Sequence, residues 1–190
     1  IDDLLVLTKG SWEDHLVELQ EVLTRLSKVG LKVNIKKSFF GNHELEYLGY
    51  WISREGVQLL KKKVDAILQI AEPTNKKELR SFIGLINYYR DMWKGQAGLI
   101  APLSKLTSAN AKWEWTDVHR KSFRKIKELL SKEVLLTYPK FNEPFEIHTD
   151  ASDVQLGAVI SQNGVPIAFY SRKLNSAQRN YTVTERELLA

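Results

Sequence analysis

The chain has 190 residues, of which 43% are hydrophobic and 27% charged, as expected for a globular protein of one or two compact domains. It contains no cysteine, which excludes disulfides and thiolate metal sites, and no apolar run approaches the ~20 residues of a membrane-spanning helix. The net charge of +5 favours polyanionic partners, although an excess of this size is weak evidence by itself.

The first stretch, IDDLLVL (residues 1–7), sets two adjacent carboxylates against a run of aliphatic residues and predicts a strand. Neighbouring side chains of a strand point to opposite faces, so Asp2 and Asp3 cannot both be buried on one side. At a tight hairpin tip both acids could reach a common cation. A solvated Asp-Asp turn before a buried strand also explains the local pattern, and both interpretations stay open at this point.

A helix should follow, with Ser11 as N-cap and Asp14 three positions later. Its leucines recur at helical spacing and predict a core face: Leu16, Leu19, Leu23 and Leu26. Residues 31–35 then alternate like a strand. The lysine pair that comes next, with Lys37 at its end, could place an ammonium near a leaving pyrophosphate, but two solvated lysines explain the spacing more simply.

Residues 45–53 and 57–59 are rich in aromatic and β-branched side chains and predict a hairpin around a turn at residues 54–56. Gly49, inside the first of these strands, indicates that another backbone or a ligand approaches closely there. A short helix from residue 61 should end before Pro73.

The next helix starts with a capping box formed by Asn75 and Glu78. One face is apolar: Leu79, Phe82, Ile83, Ile86 and Tyr89. The basic residues fall elsewhere and could grip phosphates, although a solvated charged face is the alternative: Lys76, Lys77, Arg80 and Arg90.

Residues 94–112 are turn-rich and small and predict a linker, and Thr116 then caps a further helix. From Phe145 onward the pattern predicts three short strands in an antiparallel meander, at residues 145–149, 156–161 and 166–171. The second turn of the meander contains Asn-Gly, the strongest short hairpin signal.

A second acidic pair lies in this part of the chain. Asp150 ends the first meander strand, and Glu187 lies in the first turns of a final helix that has Thr182 as N-cap. If the helix packs across the sheet, the two carboxylates could converge on a hard divalent cation. Glu185 is a weaker candidate because it completes the helix cap, and the turn after the strand accounts for Asp153.

Six blocks in a fixed order carry a family resemblance: IDDLLVLT, HLVELQEVLTRLSKVGLKVNIKKSFF, LEYLGYWIS, LRSFIGLINYYRDMW, FEIHTDAS and YSRKLNSAQRNYTVTERELLA. In them the chain resembles the reverse transcriptase–ribonuclease H region of gypsy-class long-terminal-repeat retrotransposon polyproteins, and it is similar in layout to retroviral polymerases. The resemblance covers essentially every residue.

The resemblance implies an α+β fold in four parts. Residues 1–58 would be the end of a polymerase palm with its primer-grip hairpin, and residues 59–106 a helical thumb. Residues 107–142 would be a connection segment. Residues 143–190 would be the first part of a ribonuclease H-like domain, with three antiparallel strands and the start of a helix.

The resemblance also implies two catalytic sites. Asp2 and Asp3 would bind Mg²⁺ (or Mn²⁺) for nucleotidyl transfer, and Lys37 would approach the departing pyrophosphate. Asp150 and Glu187 would be metal ligands of the ribonuclease H site, which cuts the RNA of an RNA–DNA hybrid. The implied enzyme is an RNA-directed and DNA-directed DNA polymerase with hybrid-cleaving activity.

The implied nucleic-acid contacts are the primer grip, at Tyr47, Leu48, Gly49, Tyr50 and Trp51, and the thumb residues Lys76, Lys77, Arg80, Tyr89 and Arg90. Partners would be a template–primer duplex or RNA–DNA hybrid, deoxynucleoside triphosphates and other parts of the same polyprotein, and no membrane. The location would be cytoplasmic, inside retrotransposon particles, with a nuclear location left open. The oligomeric state is not predicted.

The chain starts without a methionine inside an apolar stretch and stops inside a helical pattern, so we expect an internal fragment of a longer polypeptide. Each implied site then holds only half of its carboxylates, and we expect the isolated fragment to be inactive. The alternative is a catalytically silent nucleic-acid-binding remnant of a decayed element.

Overall fold

The computed structural model describes residues 3–132 and 134–190, and helices and sheets are mixed along the chain as predicted. Helix α1 (Trp12–Lys28) begins with the predicted capping box, in which Ser11 Oγ accepts the Asp14 N–H and the Asp14 carboxylate accepts the Ser11 N–H. None of the residues of α1 is buried. Its leucine face, predicted to be core, borders an open groove instead.

Two predicted strands are wrong in the described residues. Residues 3–8 have no regular structure, and residues 31–34 lead into a 3₁₀ turn at Ile35–Lys37. A strand is stabilised by a ladder to a neighbour. Around residue 35 the chain makes local bonds instead, because Asn34 Oδ1 accepts the Lys36 N–H at 3.1 Å.

A small antiparallel sheet follows, made of β1 (Leu45–Tyr47), β2 (Tyr50–Ile52) and β3 (Val57–Leu59). The single strand predicted over residues 45–53 is therefore two strands. Leu48 and Gly49, with φ of 48° and 85°, form a two-residue connection between them, the geometry that favours tight hairpins.

Four helices make the main core: α2 (Lys61–Gln69), α3 (Lys76–Tyr88), α4 (Gln96–Leu106) and α5 (Asp117–Leu130). The apolar face predicted for α3 is confirmed, with Leu79, Phe82 and Ile86 buried. Phe82 meets Phe123 of α5 with ring centroids 4.5 Å apart. The core thus crosses the predicted boundary between thumb and connection, and the domain limits stay predictions.

The linker predicted over residues 94–112 is wrong, because α4 occupies most of it. The helix begins after Gly95, whose φ of 74° suits glycine, and it contains Pro102. Burial of Ile100, Leu103 and Leu106 outweighs the breaking tendency of the proline.

The predicted meander is confirmed as β4 (Glu146–Ala151), β5 (Gln155–Gln162) and β6 (Val165–Lys173), paired in that order and antiparallel. Asn163 and Gly164, both with positive φ, make the second turn. Helix α6 (Val183–Leu189) starts with the predicted Thr182–Glu185 capping box and packs against β4. No helix in the described part of the chain is long and apolar enough to cross a membrane.

Candidate nucleic-acid interface and acidic sites

A groove of about 770 Å³, here called the hairpin groove, opens between the first described residues, the β1–β2 hairpin and the end of α3. Six residues that define its walls are Asp3, Leu48, Gly49, Trp51, Tyr88 and Tyr89. The structure therefore brings one predicted catalytic acid and the predicted primer grip to a single surface.

Asp3 is exposed at the edge of this groove, and its backbone carbonyl accepts a hydrogen bond from Tyr47 Oη at 3.2 Å. This contact holds the opening segment against β1. Asp2, the other predicted acid, lies outside the described residues. Lys37 is exposed and ends the 3₁₀ turn two residues before Phe39, which also lines the groove.

The hairpin tip is fastened to α3 by two reciprocal hydrogen bonds. Tyr88 Oη donates to the Leu48 carbonyl at 2.6 Å, and Tyr50 Oη donates to the Tyr88 carbonyl at 3.1 Å. The Tyr50 and Tyr88 rings stack with centroids 5.7 Å apart. Burial, reinforced by the neighbouring Tyr88, raises the pKa of Tyr50 to about 12, so its hydroxyl stays a donor at neutral pH.

Glycine is favoured at the tip because φ of residue 49 is 85° and a Cβ there would lie 3.2 Å from Tyr89 Oη. The predicted close approach at Gly49 is thus made by a tyrosine of the same chain. Tyr89 is only 3% exposed and packs in the core, whereas Tyr88 is 52% exposed. A nucleic-acid contact at Tyr89 stays a prediction; both tyrosines line the groove, and Tyr88 is the more exposed of the two.

The basic residues of α3 are not equivalent. Lys76 Nζ donates to the carbonyls of Ser108 and Ala109 at 2.7 and 3.1 Å, and Arg80 donates to the Thr107 carbonyl at 2.7 Å. These two side chains neutralise the carbonyl end of α4, which carries partial negative charge.

Lys77 is exposed on the same helix. Arg90 is exposed in the 3₁₀ turn after α3, where it pairs with Asp91 at 3.4 Å. A phosphate contact is thus more accessible for Lys77 and Arg90 than for the two carbonyl-bound residues. All four assignments stay predictions.

The second acidic pair lies where α6 meets the sheet. Asp150 is exposed in β4 opposite Gly157 of β5, and Glu187 is exposed on α6. Arg186 forms an ion pair with Asp153 in the β4–β5 turn, which joins the residue before Glu187 to the turn after Asp150. The packing of α6 on β4 is therefore consistent with the predicted convergence.

Glu185 has the structural role that the sequence indicates. Its carboxylate accepts the Thr182 N–H at 2.8 Å, and this hydrogen bond lowers the pKa of Glu185 below its usual value. Asp153, assigned to a turn, also holds Arg186. Neither needs a metal to explain its position.

The acids suit a hard divalent cation in chemistry but are few in number. Carboxylate oxygens are the ligands that Mg²⁺ and Mn²⁺ prefer. Within residues 3–132 and 134–190, however, no three histidine, aspartate or glutamate side chains lie close enough to share an ion. A complete site would need ligands in addition to those described.

Sequence reasoning missed three residues that hold this region together. Tyr88 was overlooked because helical spacing alone does not tell which of two adjacent tyrosines faces the core. Gln155 and Ser171 of the meander accept backbone N–H groups from α4, and nothing in a strand pattern reveals such partners.

Two family models match the chain. Residues 1–52 match the reverse transcriptase (RNA-dependent DNA polymerase) family, and residues 115–190 match the RNase H-like domain found in reverse transcriptase. The expected layout of a polymerase end followed by a ribonuclease H-like start is therefore confirmed.

Retrotransposon polyproteins align over the whole chain. The Transposon Tf2-3 polyprotein of Schizosaccharomyces pombe is 34% identical over 195 residues, and the Retrovirus-related Pol polyprotein from transposon opus of Drosophila melanogaster is 37% identical over 205 residues. The chain spans 15% of the length of the first and 20% of the second.

Solved structures agree. The foamy viral protease-reverse transcriptase in complex with an RNA/DNA hybrid matches 96% of this chain, and 25% of its own length, with a TM-score of 0.82 and 27% identity. The same protein in complex with dsDNA gives a TM-score of 0.80 at 27% identity, over 96% of this chain and 39% of its own. By sequence and by fold, this chain matches the reverse transcriptase and ribonuclease H-like region of retrotransposon polyproteins.

Proposed function

We propose that the chain supplies the primer-holding side of a DNA polymerase and part of a ribonuclease H site. The parent enzyme would synthesise DNA on RNA or DNA templates and cut the RNA strand of RNA–DNA hybrids. The observation that carries the proposal is the hairpin groove, in which Asp3 and the tip of the β1–β2 hairpin line one opening. A growing strand held by the hairpin would end beside the acid.

The groove residues have distinct roles in this proposal. The tip at Leu48 and Gly49 would hold the backbone of the primer end, and the exposed ring of Tyr88 would pack against its sugar or base. Lys37 would bring positive charge to the departing pyrophosphate. Asp3, with Asp2 beside it in sequence, would hold Mg²⁺ or Mn²⁺, which in enzymes of these families polarises phosphoryl oxygens and neutralises developing charge.

The ribonuclease H part would use Asp150 and Glu187. Both carboxylates are exposed and could reach a cation beside the scissile phosphate. The Arg186–Asp153 ion pair would keep the first turn of α6 in place next to β4. Further acids would come from other parts of the polyprotein.

The proposed partners are a template–primer duplex or RNA–DNA hybrid and deoxynucleoside triphosphates. The related foamy viral enzyme was solved with both kinds of duplex, which supports nucleic acid as the ligand. The proposed location is in cytoplasmic retrotransposon particles, with the nucleus as the alternative, because the chain resembles retrotransposon polyproteins.

The decisive experiment uses the full-length parent. Replacing Asp2 or Asp3 by Asn should abolish primer extension while hybrid cleavage continues, and Asp150→Asn should do the reverse. Circular dichroism of each variant shows whether it is folded. If folded variants lose both activities together, the assignment of two separate sites is wrong.

A second candidate function is a silent nucleic-acid-binding remnant. It is favoured by the shortage of clustered acids in the described part of the chain. The flanking genomic sequence separates the two: an intact reading frame that supplies the missing acids supports the enzyme, whereas stop codons support the remnant.

A further inference from the structure

The start of α4 is capped by side chains from another part of the chain. The first amides of a helix have no partner within the helix, and usually the N-cap side chain accepts from them. The N-cap of α4 is Gly95, which has no side chain to do this. The Ala97 N–H donates instead to Ser171 Oγ at 3.0 Å, and the Gly98 N–H donates to Gln155 Oε1.

The two capping side chains come from adjacent strands of the ribonuclease H-like sheet, Gln155 from β5 and Ser171 from β6. They also bind each other, because Ser171 Oγ donates to Gln155 Oε1 at 3.2 Å. A Cβ on residue 98 would come within 3.0 Å of the Gln155 oxygen, so glycine at that position permits the close approach. These contacts are here called the joint between α4 and the sheet. Both elements carry residues that suit it, Gly98 on α4 and Gln155 with Ser171 on the sheet.

This joint lies on the same face of the sheet as Asp150. In the strand register Asp150 is opposite Gly157, and Gly157 is opposite Ser171. Directly opposed residues project from one face, and two strand spacings amount to roughly 10 Å. The cap thus holds the thumb helix close to the predicted cleavage site and not at a remote edge.

We infer that Gln155, assisted by Ser171, is a positioning residue that fixes the ribonuclease H-like sheet on α4. A hybrid gripped by the thumb would then be cut at a defined distance from the primer end held in the hairpin groove. The consequence for cleavage rests on the proposed function, whereas the joint itself does not. Gln155 contacts the backbone of α4 and needs no contact with nucleic acid for this role.

The first test measures the joint in this 190-residue chain. Gln155→Met keeps the length and packing of the side chain but removes the acceptor, and Gln155→Glu keeps an acceptor at a site that favours negative charge. Loss of this acceptor should make the Gly98 amide exchange hydrogen roughly fivefold faster in Gln155→Met, since a cap contributes about 1 kcal/mol.

Gln155→Glu should exchange like the wild type. Gln69→Met, a matched change at the exposed end of α2, should leave both amides unaffected. Wild-type exchange at Gly98 in a folded Gln155→Met chain overturns the inference. If that variant does not fold, Ser171→Ala removes the second acceptor, and an unchanged Ala97 amide there overturns it equally.

The second test uses the full-length parent on a hybrid with a fixed primer end. The wild type should cut at one preferred distance, and Gln155→Met should spread the cuts over several positions while primer extension continues. Rescue of the sharp pattern by Gln155→Glu supports positioning, and a sharp pattern in Gln155→Met refutes it. A wild-type parent that does not cut the hybrid contradicts the proposed function. The amide-exchange measurement still shows whether Gln155 caps α4.

Discussion

The first forty described residues are much less buried than the region from β1 to α5. Helix α1 is well capped and has a regular leucine stripe, yet none of its residues is buried. Helix α3 has the same kind of cap and stripe, and Leu79 and Ile86 are fully inaccessible. Equal local patterns thus lead to unequal packing, because burial depends on what other segments supply.

Core truncation should separate the two regions most strongly. Ile86→Ala should lower the free energy of unfolding by about 2–5 kcal/mol, because it opens a cavity in a close-packed core. Leu23→Ala on α1, where the side chain is 37% exposed, should cost well below this range. Urea unfolding followed by tryptophan fluorescence measures both variants, and equal losses would show that α1 is packed as tightly as α3.

A backbone contact in the second region offers the next largest effect. The Val57 N–H donates to the Leu136 carbonyl at 2.8 Å, and Gly56, with φ of 152°, lies directly against that carbonyl. Gly56→Ala should lower the free energy of unfolding by about 1–3 kcal/mol, because strand and carbonyl must separate. Gly30→Ala after α1 is the control, with a positive φ but open space around it. Equal losses of stability in Gly56→Ala and Gly30→Ala would show that the positive φ alone causes the effect.

Loss of one hydrogen bond at the hairpin groove should have a smaller effect on stability. Tyr88→Phe removes the donor to the Leu48 carbonyl and should cost about 0.5–1.5 kcal/mol. The same variant should weaken binding of a template–primer duplex, because the hairpin tip is no longer fastened to α3. Tyr170→Phe, at an exposed site on β6, is the matched control. Unchanged amide exchange at Gly49 in Tyr88→Phe would contradict the fastening.

What the sequence predicted follows the same division. Local signals were sufficient for the capping boxes of α1 and α6, the apolar face of α3 and the Asn163–Gly164 turn. At α3 the N-cap Asn75 is confirmed, but the Glu78 carboxylate accepts the Thr74 N–H and not that of Asn75. They were insufficient where distant residues decide, as for the absent strand at residues 31–35 and the helix α4 in place of a linker. Pro102 argues against a helix locally, and only the burial of its neighbours reverses that.

The candidate site shows this limit residue by residue. The acids and the hairpin follow from the order of motifs, since each motif is a continuous stretch. Both Tyr88 and Tyr89 line the groove, but only the side of α3 that meets the hairpin decides that Tyr88 is the exposed one and binds the hairpin tip. Likewise, the carbonyl partners of Lys76 and Arg80 lie more than twenty residues away in sequence, at the end of α4.

The smallest predicted effect should be the same in the two regions. Asp14 of α1 and Glu78 of α3 each accept a backbone N–H at the helix start, and this bond lowers the pKa of both carboxylates below the usual 3.8 and 4.5. A carboxylate whose pKa is lower in the folded state than in the unfolded state stabilises the fold at pH values above its unfolded-state pKa. This stabilisation is lost as the pH falls through the folded-state pKa. Both helices should therefore fray at their first turns in acid.

Amide exchange at residues 12–15 and 76–79 across that pH range measures the fraying. Asp14→Asn should remove the acid dependence from α1 and leave that of α3, because a cap acts only on its own helix. If α3 lost its pH response as well, the two helices would be coupled. In that case a lack of packing partners for α1 would not explain why α1 is exposed while α3 is buried.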